Sequence, residues 1–289
     1  MIRRAIIVGV TSLGLTGCFL RPSLTESFGF RPKNIRADRA DPATWGWGSA
    51  RLDTIARVDS AGGLMAWWGP AGAGAKACGG VLLLHGKGKN RAQMLPLGRS
   101  LQQAGFSVLL PDYRGYGGSE GTPTTEGVFS DASLSYRRLR ERLGDSVLPI
   151  VVIGHSMGTA LAARLAREQN PAATIYMSPF DRISTLVRAR AGAIGPRLFD
   201  TTAFAFNPSA DAAAARGRSM VVIAGRDLLI RKSVSDVFIA SLTPQPVVIR
   251  DAKAFHNGVL RSKPTVRAVT DSISAWTGCS VGRHAEGDV

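Results

Sequence analysis

Ser156 sits between two glycines in Gly154-His155-Ser156-Met157-Gly158, a Gly-x-Ser-x-Gly pattern. The apolar run Ile150-Val151-Val152-Ile153 precedes it, and a segment rich in Ala and Leu follows. A chain that enters such a turn as a strand and leaves as a helix crowds the side chains flanking the serine, and glycine removes that crowding. The same turn lifts the hydroxyl above the sheet, at the start of the helix. The chemistry implied is nucleophilic attack, for which a serine hydroxyl needs a base.

The chain has four histidines, so the base can be sought by elimination. His85 ends an apolar strand, His155 lies inside the turn and points away from the serine, and His284 falls in a polar tail. His256 remains, in Ala254-Phe255-His256-Asn257-Gly258, a loop after the last strand. The acid that orients the imidazole is expected after a strand between the serine and the histidine. Asp227, following Val221-Val222-Ile223-Ala224-Gly225-Arg226, is favoured, and Asp181, after the strand ending near Met177, is the rival. Negative charge developing on an attacked carbonyl calls for two backbone donors. These are expected to be the N–H of Met157 and that of Lys87 in His85-Gly86-Lys87-Gly88. Nothing in this set implies a metal or an organic cofactor.

The elements that must hold these residues alternate along the chain. Residues 54–59 and 64–68 read as an antiparallel hairpin. Val81-Leu82-Leu83-Leu84, Phe106 to Leu110, Ile150 to Ile153, Ala173 to Met177, Met220 to Ala224 and Val247 to Arg250 read as strands. Helices are expected near 92–104, 131–143, 158–169 and 265–276, with leucines at near-helical spacing in the second. Strands alternating with helices indicate an α/β fold with one mostly parallel, doubly wound sheet of about eight strands. The length of 289 residues suffices for one such domain, expected over 51–279.

The stretch Asp112-Tyr113-Arg114-Gly115-Tyr116-Gly117-Gly118-Ser119-Glu120-Gly121-Thr122-Pro123 is similar to a motif of small-lid serine hydrolases in the α/β-hydrolase superfamily. Together with the serine turn, the resemblance runs from about Cys78 to Trp276. It implies the α/β-hydrolase fold, a triad in the order Ser156, Asp227, His256, and a short lid, expected at about 180–218. The expected function is hydrolysis of carboxylic esters through an acyl-enzyme, of the acyl esterase or lysophospholipase kind. Two alternatives stay open. One is a peptidase or amidase on the same triad, and the other is a catalytically silent envelope-binding protein. Lys87 departs from the small or polar residues common at its position, but only its backbone N–H is required.

The amino-terminal residues read as an export signal. Met1-Ile2-Arg3-Arg4 is basic and Ala5 to Leu15 is apolar but too short to span a bilayer. Leu15-Thr16-Gly17-Cys18 resembles a bacterial lipobox, which implies a signal peptide over 1–17 and a lipidated Cys18. The expected destination is the bacterial cell envelope, with the outer membrane favoured because Phe19 rather than Asp follows Cys18. Residues 18–50 read as a tether, within which Trp45 and Trp47 are expected to pack back on the domain. Residues 280–289 read as a polar tail. Cys78 and Cys279 are expected at the same edge of the sheet, and a disulfide between them is the reading for an oxidising compartment.

A net charge of +15 is compatible with nucleic acid, yet no nucleic-acid motif accompanies it. The expected partners are a small-molecule or lipid ester and, through Cys18, a membrane. Lys87, Lys89, Arg91, Arg114, Arg182, Arg226, Arg231, Lys232 and Lys253 follow the carboxyl ends of strands, where ligands bind in such sheets. A basic active face is therefore expected.

Overall fold

Val81 to Leu84 are apolar at every position and all are buried, since this strand lies mid-sheet with helices on both faces. The computed structural model describes residues 30–57, 59, 62–72, 77–144, 147–191 and 206–279, with the backbone alone at 190–191. The strands are β1 (Arg51–Ala56), β2 (Gly63–Gly69), β3 (Gly80–Leu84), β4 (Ser107–Pro111), β5 (Ile150–His155), β6 (Ala173–Met177), β7 (Arg218–Ala224) and β8 (Val247–Asp251). They form one eight-stranded sheet in the order β1-β2-β4-β3-β5-β6-β7-β8. The β1–β2 and β2–β4 pairs are antiparallel and the remaining pairs parallel.

Alternation along each strand feeds two cores. Leu82, Leu84 and Val152 face one side, against helices α2 (Thr125–Leu143), α3 (Gly158–Gln169) and α6 (Lys232–Ala240). Val81, Leu83, Val151 and Ile153 face the other, against α1 (Leu95–Gln103) and α7 (Lys263–Thr277). Two short helices, α4 (Ile183–Ala191) and α5 (Pro208–Ala213), flank residues 192–205, the part of the expected lid that lies outside the described residues. Phe206, the next described residue, is buried edge-on against Phe30 and Phe129.

Helix α2 begins six residues before the expected start, because the Thr124 side chain accepts the Gly127 N–H and caps an extra turn. The expected tether is corrected from residue 30 onward. Phe30 is fully buried, Ile35 N–H donates to the Gly117 carbonyl, and Trp47 packs edge-on against Trp67. Trp45 and Trp47 pack on Trp67 as expected, but Phe30 fills the fold without any periodic pattern around it, which is why the sequence reads as a linker. Residues 1–29, with the expected signal and Cys18, and the tail 280–289 lie outside the described residues. No helix among the described residues is long and apolar enough to cross a membrane.

Cys78, just before β3, is bonded to Cys279, just after α7, with Cα atoms 5.3 Å apart. Helix α7 runs antiparallel to the strands and so ends at the edge where β3 begins. The bridge closes a loop of 201 residues, a long constraint on the unfolded chain. Reduction is expected to lower unfolding free energy by about 2–4 kcal/mol. Thiol labelling of unfolded protein before and after reduction should show two extra reactive thiols only after it.

Candidate active site

Ser156 follows β5 directly and has a φ of +54°, a left-handed conformation that L-residues rarely adopt. The glycines make it possible. A methyl group at Gly154 would collide with the Gly158 carbonyl, and one at Gly158 with the Leu84 carbonyl of β3. The Ser156 N–H is fixed on the Met177 carbonyl at 2.9 Å, tying the turn to the end of β6. Backbone strain of this kind persists only where the surroundings over-determine it, and it concentrates at functional sites.

His256 and Asp227 meet across the ends of β7 and β8. His256 Nδ1 donates to Asp227 Oδ2 at 2.7 Å. The other carboxylate oxygen accepts the N–H groups of Leu229 and Ile230 at 2.8 and 2.9 Å. Burial pushes the Asp227 carboxyl upward, but the His256 bond and charge and these two N–H groups outweigh it and hold it below the usual range. With Nδ1 committed to the acid, neutral His256 carries its lone pair on Nε2, the nitrogen a base needs. Among the described residues the Ser156 hydroxyl makes no hydrogen bond, to His256 or to any other group. Serine–base contacts are often loose without substrate and tighten when it binds.

Asp181, the rival acid, is also buried, but its carboxylate accepts from the Thr185 hydroxyl at 2.8 Å and lies beside Arg182. The structure therefore brings Asp227, and not Asp181, to His256. Met157 stands at the N-terminus of α3, where helix N–H groups lack intrahelical partners. Lys87 follows Gly86, whose backbone runs so close to the serine that an added methyl would lie 3.2 Å from Ser156 Cβ. No group of His, Cys, Asp and Glu able to hold a metal occurs among the described residues.

Two residues that sequence reasoning passed over bind the site together. Gln93 Oε1 accepts the Gly86 N–H at 2.9 Å, and its Nε2 donates to Asn257 Oδ1 at 2.8 Å and lies 3.4 Å from His155 Nδ1. His155 Nε2 is 2.9 Å from the His256 carbonyl. A carbonyl only accepts, so His155 is protonated at Nε2 and its Nδ1 accepts from Gln93. The loop after β3, the serine turn and the base loop thus share one hydrogen-bonded chain. Nothing local in the sequence marks Gln93, since its partners lie far away along the chain.

The expected basic face is only partly present. Arg91 is buried and its guanidinium pairs with the buried carboxylate of Asp112. Arg114 is held by Asp131 and Asp59 at 2.7 and 2.9 Å, and Lys232 by Asp236 at 2.6 Å. Asp112, Asp131 and Asp59 come from other segments of the chain and Asp236 from one turn further along the same helix as Lys232, so a reading of strand ends alone misses the pairing.

With fold and geometry established, residues 75–234 match the model of the Hydrolase_4 family, described as serine aminopeptidase, S33. The chain belongs to this family of α/β hydrolases. It is similar to the lysophosphatidylserine lipase ABHD12 of Danio rerio, 37% identical over 110 residues covering 36% of this chain and 28% of that protein. An uncharacterized protein of Mycobacterium tuberculosis is 33% identical over 135 residues, 47% of this chain and 48% of that one. The alignments thus span about a quarter to a half of these relatives. An esterase from Pyrococcus furiosus shares the fold, with a TM-score of 0.69 at 21% identity over 86% of this α/β hydrolase and all of that chain. An α/β hydrolase from Vibrio vulnificus does so with a TM-score of 0.66 at 21% identity, covering 92% and 95%.

Two outcomes follow from the network. Gln93→Leu strands a backbone N–H, an imidazole nitrogen and an amide, and should cost about 1–3 kcal/mol by urea denaturation with an unchanged slope. Burial pushes His155 down to about 3 and His85 down to about 4. Below the ordinary value of 6.5 the unfolded chain takes up protons that the folded histidines refuse. Their contribution to stability is complete above pH 6.5 and is lost as pH falls toward 4, by up to about 1.4 kcal/mol per pH unit for each histidine. Denaturant midpoints measured across that window should fall with acid, and His155→Gln should flatten the slope.

Proposed function

We propose that this α/β hydrolase cleaves carboxylic esters through an acyl-enzyme, with Ser156 as nucleophile, His256 as base and Asp227 as the orienting acid. The observation that carries the reading is the His256–Asp227 bond, which fixes the imidazole tautomer, together with a serine held in a left-handed turn. In the proposed reaction, His256 Nε2 takes the hydroxyl proton as Ser156 Oγ bonds to the ester carbonyl carbon. The N–H groups of Met157 and Lys87 stabilise the oxyanion. His256 then gives its proton to the departing alcohol, leaving an acylated serine. Water attacks that acyl carbon while His256 takes a proton from it, and the proton passes to Ser156 as the carboxylic acid leaves.

Similarity to a protein named lysophosphatidylserine lipase supports an ester, and a lipid ester in particular, as substrate. The family's description as serine aminopeptidase favours a second reading, an amidase acting through the same steps with an amine as leaving group. The amino-terminal pattern supports attachment to the bacterial envelope through acylated Cys18.

A fluorophosphonate probe should label Ser156, and a panel of esters against peptide amides should return turnover on the esters. Ser156→Ala is expected to fold normally and lose about four or more orders of magnitude in kcat. Asp227→Asn should lose far more activity than Asp181→Asn. Near-native turnover by folded Ser156→Ala would overturn the assignment.

A further inference from the structure

The two loops that carry Asp227 and His256 also carry three exposed large apolar side chains. Leu228 is 86%, Leu229 47% and Phe255 56% exposed. Leucine at that exposure is unremarkable singly, but these three stand on backbone held together. Gly225 N–H donates to the Asp251 carbonyl at 2.7 Å and Arg226 N–H to the Ala254 carbonyl at 2.9 Å. The Arg226 guanidinium lies 5.9 Å from the Phe255 ring centre. The result is a single rim at the carboxyl end of the sheet, immediately beside the His256–Asp227 pair.

The charge of this rim is one-sided. Arg226, Arg231 and Lys253 form no ion pair among the described residues, in contrast to the paired Arg91, Arg114 and Lys232. The acids nearby are engaged. Asp227 receives His256, and Asp251 accepts from the hydroxyls of Ser262 and Thr265. Exposed apolar tips ringed by unpaired cations match a bilayer with anionic headgroups, where acyl chains and phosphates lie within a few ångströms of one another.

We propose that this rim docks on an anionic lipid bilayer. Leu228, Leu229 and Phe255 enter the boundary between headgroups and acyl chains, and Arg226, Arg231 and Lys253 meet the phosphates. Docking in this way sets the mouth of the site against the surface. That consequence rests on the lipid-ester reading above, whereas the docking itself does not require Ser156 to be a nucleophile.

The test places an environment-sensitive fluorophore on Leu228→Cys, in the full chain carrying Cys18→Ala so that no acyl anchor contributes. A control chain carries it on Val147→Cys, a fully exposed position just before β5 at the opposite edge of the sheet. Vesicles are phosphatidylcholine alone or mixed with phosphatidylglycerol. The expected result is a blue shift and gain in intensity at position 228 with the anionic vesicles, and none at 147. Replacing Arg226, Arg231 and Lys253 together by Gln should weaken that response roughly a hundredfold in lipid concentration. Equal responses at 228 and 147, equal responses to neutral and anionic vesicles, or no response at all would overturn the proposal. So would a response to a monomeric anionic amphiphile without one to vesicles, which would make the rim a substrate subsite. Hydrolysis of a water-soluble short-chain ester, measured on the same proteins, reports the triad separately, so failure of docking and failure of the hydrolase reading are distinguishable.

Discussion

The site depends on how closely the turn between β5 and α3 approaches strand β3. Gly158 lies against the Leu84 carbonyl and Gly154 against the Gly158 carbonyl, with no room for a side chain at either position. This contact forces Ser156 into a left-handed conformation, and the sheet pays for the strain through its packed cores on both faces. A looser approach would relax the serine back into the sheet edge and remove it from the loops that hold Asp227 and His256.

Around that fixed point the other parts are joined by hydrogen bonds rather than by further packing. Asp227 is held by two backbone N–H groups before it accepts from His256. His155 supports the backbone of His256, and Gln93 links His155 to the loop after β3. Because His155 is buried and kept neutral, its donor and acceptor directions do not change with pH in the physiological range. A loop supported in this way keeps the His256 imidazole aligned with Asp227.

What the sequence made legible was what local pattern encodes. Gly154-x-Ser156-x-Gly158 after an apolar strand names the turn, and the strand-helix alternation names the sheet. Asp227 and His256 follow from their position after successive strands. What stayed hidden depends on contacts between distant segments. Gln93 gives no sign of its link to Asn257, 164 residues away. Arg91 looks like one more cation at a strand end until Asp112 is found beside it in the interior. Phe30 gives no sign because it acts as a single plug rather than as part of a periodic face, whereas Trp47 packs as the sequence leads one to expect.

The Cys78–Cys279 bridge gives the chain a further property. It joins the start of β3 to the end of the last helix, so the sheet strands from β3 to β8, the lid region and every residue assigned to the site lie within one covalent ring. A protease that cuts an exposed segment within this ring opens it without releasing a fragment. The serine on one side of the cut and the histidine on the other remain parts of the same molecule, and the folded sheet has a route to hold them in register after the backbone is broken.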